Sequence, residues 1–136
     1  MPVVTSQADF ATLTDLRMAE AKALFGQGLW DAAYYLSGYA VEFALKVRII
    51  RELMTSNAFP DKRAVDDFHK HNLTVLRSAA GLEDEMKDDP AVSLHWFIVK
   101  DWSEQTRYQT GRTEQAARDL INAIENGVLP WIKARW

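Results

Sequence analysis

The chain has no cysteine, and of the residues that interrupt regular structure it has only four prolines and six glycines over 136 positions. Without a thiol there is no disulfide, no thiolate metal ligand and no cysteine nucleophile, and a reducing compartment is the expected setting. The excess of one sign of charge is small as well. A net charge of −3 provides no domain-wide basic field to hold long nucleic acid by counterion release, so any nucleic-acid contact is expected to be local. Only three histidines are present, at 69, 71 and 95, and their spacing shows no carboxylate partner that would complete a ligand set. No metal and no cofactor are therefore expected. Long apolar runs are missing too. Asp31, Glu42, Lys46, Arg48 and Arg51 punctuate the best candidate, which falls short of the roughly 18 to 20 apolar residues of a membrane span. The opening MPVVTSQADF lacks the basic and apolar regions of a signal peptide. A cytoplasmic protein with no membrane partner is the expectation.

What is present is ordinary globular composition, 48% hydrophobic and 26% charged, in a length that suits a single domain over 1–136. The segment from Leu29 to Met54 carries the clearest pattern. Its apolar residues Leu29, Ala33, Leu36, Ala40, Phe43, Val47, Ile50 and Met54 follow a 4-3-4-3 rhythm, which predicts one long packed helix. Ala32, Tyr35, Tyr39, Val41 and Leu45 widen the seam until little polar face remains, so the helix should be central. Breakers elsewhere fall between periodic segments. A first helix is predicted from about Gln7 to Phe25, capped by Ser6 or Thr5 and ended by Gly26 and Gly28. The tight link to the second helix implies an antiparallel hairpin. The stretch TSNAFPDKRAVDD reads as a loop with one short turn, and a third helix runs from Asn72 to about Ala80. GLEDEMKDDP reads as an acidic turn, after which Pro90 opens a fourth helix at its N1 position. The last begins near Thr113, and Gly127 and Pro130 predict a kink or restart that docks Val128, Trp131 and Ile132. No run alternates with period two, so the expected fold is an all-α antiparallel bundle of about five helices.

Three words in this sequence resemble a known family. The string GLWDAAYYLSGYAVEFALK over Gly28 to Lys46, then Phe68-His69-Lys70-His71-Asn72-Leu73, then Trp96, Val99, Trp102, Arg107 and Tyr108 are similar, in order, to motifs of the HEPN domains. The name stands for higher eukaryotes and prokaryotes nucleotide-binding. The resemblance implies an up-and-down helical bundle, homodimerisation, and a small nucleotidyltransferase as partner, as in toxin–antitoxin pairs. Some members cleave RNA without metal through an R-x4-6-H motif in the later helices. Here the chain departs from the pattern, because no histidine follows Arg107. The expected role is therefore a noncatalytic, dimeric binding module, with a nucleotide or RNA as ligand.

The residues themselves leave rival readings open. Arg63 and His69 match R-x5-H, though in the wrong place for the family. With His71 they would make a phosphate clamp and a general acid/base for a ribonuclease, while the simpler reading has Asn72 capping a helix and His71 bonding a neighbour. Glu42 and Lys46 lie one turn apart on a ridge with Tyr35 and Tyr39, as a register-fixing pair or as the lining of a small polar cavity. Ser37 and Gly38 let another helix approach, across a hairpin or a dimer. Trp102, Arg107 and Tyr108 would either stack a base and grip a phosphate or pack and cap. A purely structural adaptor is the third possibility.

Overall fold

The computed structural model describes residues 6–136, and the fold is an all-α bundle with no strand among them. Helix α1 spans Gln7–Gly26. Ser6 closes a reciprocal capping box with Asp9, the hydroxyl accepting from the Asp9 N–H at 3.1 Å and the carboxylate accepting from the Ser6 N–H. The alternative cap, Thr5, lies outside the described residues, as does the start of the MPVVTSQADF segment. After Gly28, whose φ of 76° is open to glycine without strain, the chain reverses into α2, Trp30–Thr55. At 26 residues this helix is about 39 Å long and packs along α1 as the predicted hairpin.

The buried face of α2 differs from the predicted seam. Its fully buried positions run through Ala33, Ser37, Ala40, Val41, Ala44, Leu45 and Ile49. Leu36, Phe43 and Ile50 are half-buried, and the seam's ends, Leu29 and Met54, are exposed. Small residues dominate the innermost line because neighbouring elements cross α2 closely there, while the larger ones fill its flank.

Two segments expected as turns are short helices. Residues Lys62–Phe68 form α3, with the Asp61 carboxylate capping the Arg63 N–H at 3.0 Å. Phe68 anchors it edge-on to Phe10 of α1 at 5.6 Å between ring centroids. Helix α4, Leu73–Ala79, starts at Asn72 as predicted, with Oδ1 accepting from the Val75 N–H at 3.0 Å. The acidic stretch then forms α5, Glu83–Lys87, because Leu82 and Met86 sit one turn apart in the core. Helix α6, Pro90–Val99, begins on its proline, and a 3-10 segment follows at Glu104–Tyr108.

The last helix continues through Gly127 without a break. Helix α7, Glu114–Ala123, capped by Thr113, passes through a π-turn at Ile124–Val128 into α8, Leu129–Lys133. Gly127 lets the wide turn sit on His95 of α6, since a Cβ there would lie 2.2 Å from the imidazole Cγ. Pro130 is the second residue of α8, just after the wide turn. Val128, Trp131 and Ile132 are buried as expected. The carbonyl of Arg135 then accepts from Arg48 and Arg51, tying the C-terminal end to α2.

Candidate functional site

The middle of α2 carries the one buried carboxylate among the described residues. Glu42 is 1% exposed, and each of its oxygens has a cationic or potentially cationic partner. Lys46 Nζ, itself buried, donates to Oε2 at 3.3 Å, and Nδ1 of His71 lies 2.9 Å from Oε1. Burial pushes the Glu42 carboxyl above its usual range, against the opposing pull of Lys46 and His71. The register-fixing reading of the Glu42–Lys46 pair is thus extended. The pair also reaches across to the start of α4 and sets the imidazole there.

His71 is held there because its neighbours in sequence are anchored on both sides. Phe68 packs on Phe10 and beneath the Lys46 ammonium, 5.4 Å from the ring centroid, and Leu73 is in the core. With Nδ1 turned to Glu42, Nε2 is the ring nitrogen left for a ligand. Beside it lies a cleft of about 450 Å³, lined by His69, Lys70, His71, Asn72, Ser103 and Glu104 with the edge of Trp102. On the far wall, burial works against the Glu104 charge but is outweighed by its own backbone N–H, Gln105, His71 and Ser103, which hold the carboxyl below its usual range.

The third sequence word forms the floor. Trp102 is 2% exposed, and its Nε1 donates to the Tyr35 carbonyl at 3.1 Å. Its indole occupies the notch at Gly38, where a Cβ would lie 2.0 Å from Cε2. The notch at Gly38 thus receives an indole of the same chain in place of another helix, and of the two readings of Trp102 the packed one holds: it is a buried wall with no open face on which to stack a base. Tyr39 sits at the junction, edge-on to Trp102 at 5.0 Å and to His71 at 6.4 Å between ring centroids. Burial, and then the hydrogen bond with Tyr35, raise the Tyr39 phenol above its ordinary pKa.

Arg107 and Tyr108, on the same 3-10 segment as Glu104, remain exposed. The Arg107 guanidinium lies 4.8 Å from the Tyr108 ring centroid, and hydrogen bonds to Tyr108 and then Tyr35 raise its pKa. The proposed helix-end capping role for Arg107 is replaced by these phenol contacts. Arg63 stands apart. It lines a neighbouring groove with Asp61, Lys62, Asp66, Asp67 and Lys70, where three carboxylates offset three cations. The set Arg63, His69 and His71 therefore does not share one cleft, although Lys70 borders both grooves. Among the described residues no three His, Asp or Glu side chains converge as a cation site, and no helix is long and apolar enough to cross a membrane. The His71–Glu42 contact was missed in sequence because the partners are 29 residues apart.

Comparison of the chain with family models, curated proteins and solved structures returns no match.

Proposed function

We propose that this chain is a HEPN-type helical module that acts as a homodimer, binds a nucleotide or short RNA through its phosphate without cutting it, and serves a nucleotidyltransferase partner. One observation carries the reading. The three sequence words that resemble the family, far apart in the chain, meet around Tyr39, with Glu42 orienting His71 and Trp102 seated on Gly38. His69, Lys70 and His71 give the adjoining cleft a basic lip, suited to a phosphate. Arg107 adds a fork of donors on the neighbouring segment. Binding is favoured over cleavage because Arg63 lies in another groove and no histidine follows Arg107.

The test is calorimetric titration with ADP, ATP and a short oligoribonucleotide in EDTA, with the RNA then run on a gel. Binding that weakens at least tenfold in His71→Ala and in Lys70→Ala, with intact RNA, supports the reading. If none of these ligands binds or raises the melting temperature, the structural adaptor takes its place. Co-purification with a nucleotidyltransferase encoded beside it tests the partner. A second reading, a metal-independent ribonuclease, has one observation in its favour: a carboxylate behind His71 is the arrangement a general base uses. RNA cutting in EDTA that is abolished by His71→Ala and His69→Ala would establish it.

A further inference from the structure

Helix α6 is apolar on both sides. Val92, Trp96 and Val99 face the core, as expected of an amphipathic helix, but the outward stripe is apolar too. Pro90, Ala91, Leu94, Phe97 and Ile98 are all exposed and fall within about 120° of one another at 100° per residue. Leu94 is 73% exposed, Phe97 69% and Ile98 44%. A helix that is apolar all round is normally buried all round, and no described element covers this face. Three such side chains form a contiguous patch on the order of 300 to 600 Å², comparable with the largest apolar patch of a typical monomer, which is often functional.

Charges at the ends of the stripe indicate what covers it. Lys87 and Asp88 precede α6, and Lys100 and Asp101 follow it. Two copies of α6 laid antiparallel bring Lys100 of each toward Asp88 of the other and Asp101 toward Lys87. Parallel copies would bring like charges together. Antiparallel pairing also opposes the two helix dipoles favourably and is compatible with a two-fold axis across the helices, which makes the contact isologous. Lys100 already leans over Phe97, 5.0 Å from the ring centroid, at the edge of the stripe. We infer that the outward face of α6 is the contact between two copies of this chain. The inference rests on the dimeric reading above and adds the face through which the dimer forms.

The patches of two copies together total about 600 to 1,200 Å², at or below the low end of specific interfaces, so the dimer should dissociate on dilution. Sedimentation of the full chain from 1 to 200 micromolar is the test, beside Leu94→Lys/Phe97→Asp and Lys100→Asp, each checked for an unchanged melting temperature. The expected result is a reversible dimer whose dissociation constant rises at least tenfold in both variants and is restored when Asp88→Lys is added to Lys100→Asp. A wild-type chain that stays monomeric throughout overturns both the face and the dimer. A dimer that persists unchanged in the variants overturns the face alone. A monomer that binds vesicles of neutral and anionic phospholipid through this stripe assigns it to a lipid surface and overturns the inference. Nucleotide titration of the monomeric variant separates this outcome from failure of the binding site.

Discussion

Nδ1 of His71 lies 2.9 Å from Oε1 of Glu42, so the start of α4 is tied to the centre of α2 by a carboxylate that solvent scarcely reaches. A raised carboxyl pKa means that the folded state holds its proton to higher pH than the unfolded chain does. Stability from Glu42 is therefore full below the usual carboxylate range and is lost as pH rises through the raised value. The melting temperature of the wild type minus that of Glu42→Gln should fall between pH 4.5 and 7.5. Glu104, held low, contributes in the opposite sense but cancels in the subtraction. A difference that rises with pH would show that Lys46 and His71 outweigh burial.

Gly38→Ala should destabilise the fold by about 1 to 3 kcal/mol through overpacking, because the new methyl meets the Trp102 indole. Gly26→Ala is the contrast. Nothing lies within 4 Å of its Cβ position, and removing a helical glycine should stabilise by roughly 0.5 to 1 kcal/mol. Urea denaturation measures both. A smaller loss for Gly38→Ala in a Trp102→Phe background would identify the indole as the obstacle.

Asn72→Ala removes the cap of α4 and should cost about 0.5 to 2 kcal/mol. It also loosens the residue beside His71. Ligand affinity at the cleft is thus expected to weaken while His95→Ala, on α6 and outside the cleft, leaves it unchanged; titration of both variants with ADP decides this.

Arg77 is buried against Trp96, 4.7 Å from the ring centroid, and its Nε has no partner among the described residues. Burial lowers its pKa, and Glu83, at 3.7 Å, only partly offsets this. Replacing a poorly satisfied buried charge by an apolar side chain of similar size is often neutral or stabilising. Arg77→Met should therefore raise or preserve the urea midpoint, and a loss above about 2 kcal/mol would show that the stacking on Trp96 dominates.

Helices α1, α4, α6 and α7 were readable from the sequence because their signals are local: Ser6, Asn72, Pro90 and Thr113 all stand where they begin. Helices α3 and α5 were not, since each depends on tertiary anchors, Phe68 on Phe10 and Leu82 with Met86 in the core. At the site, the Glu42–Lys46 pair followed from i, i+4 spacing. The partners that give it meaning, His71 and Trp102, came from distant segments that no periodicity connects. Exposed and buried tryptophans also look alike in sequence, which is why stacking and packing both stayed open for Trp102.

In the π-turn of the last helix, the Leu129 N–H donates to the carbonyl of Ile124, five residues back. Ile124 and Leu129 therefore share a face that α-helical spacing would separate by more than a quarter turn. The number of residues in this stretch is itself specified. Losing one would swing Trp131 and Ile132 around the helix axis and carry the Arg135 carbonyl away from Arg48 and Arg51. The chain's end is placed by arithmetic as much as by side-chain chemistry, so conservative point substitutions away from Gly127 should be better tolerated there than a one-residue deletion.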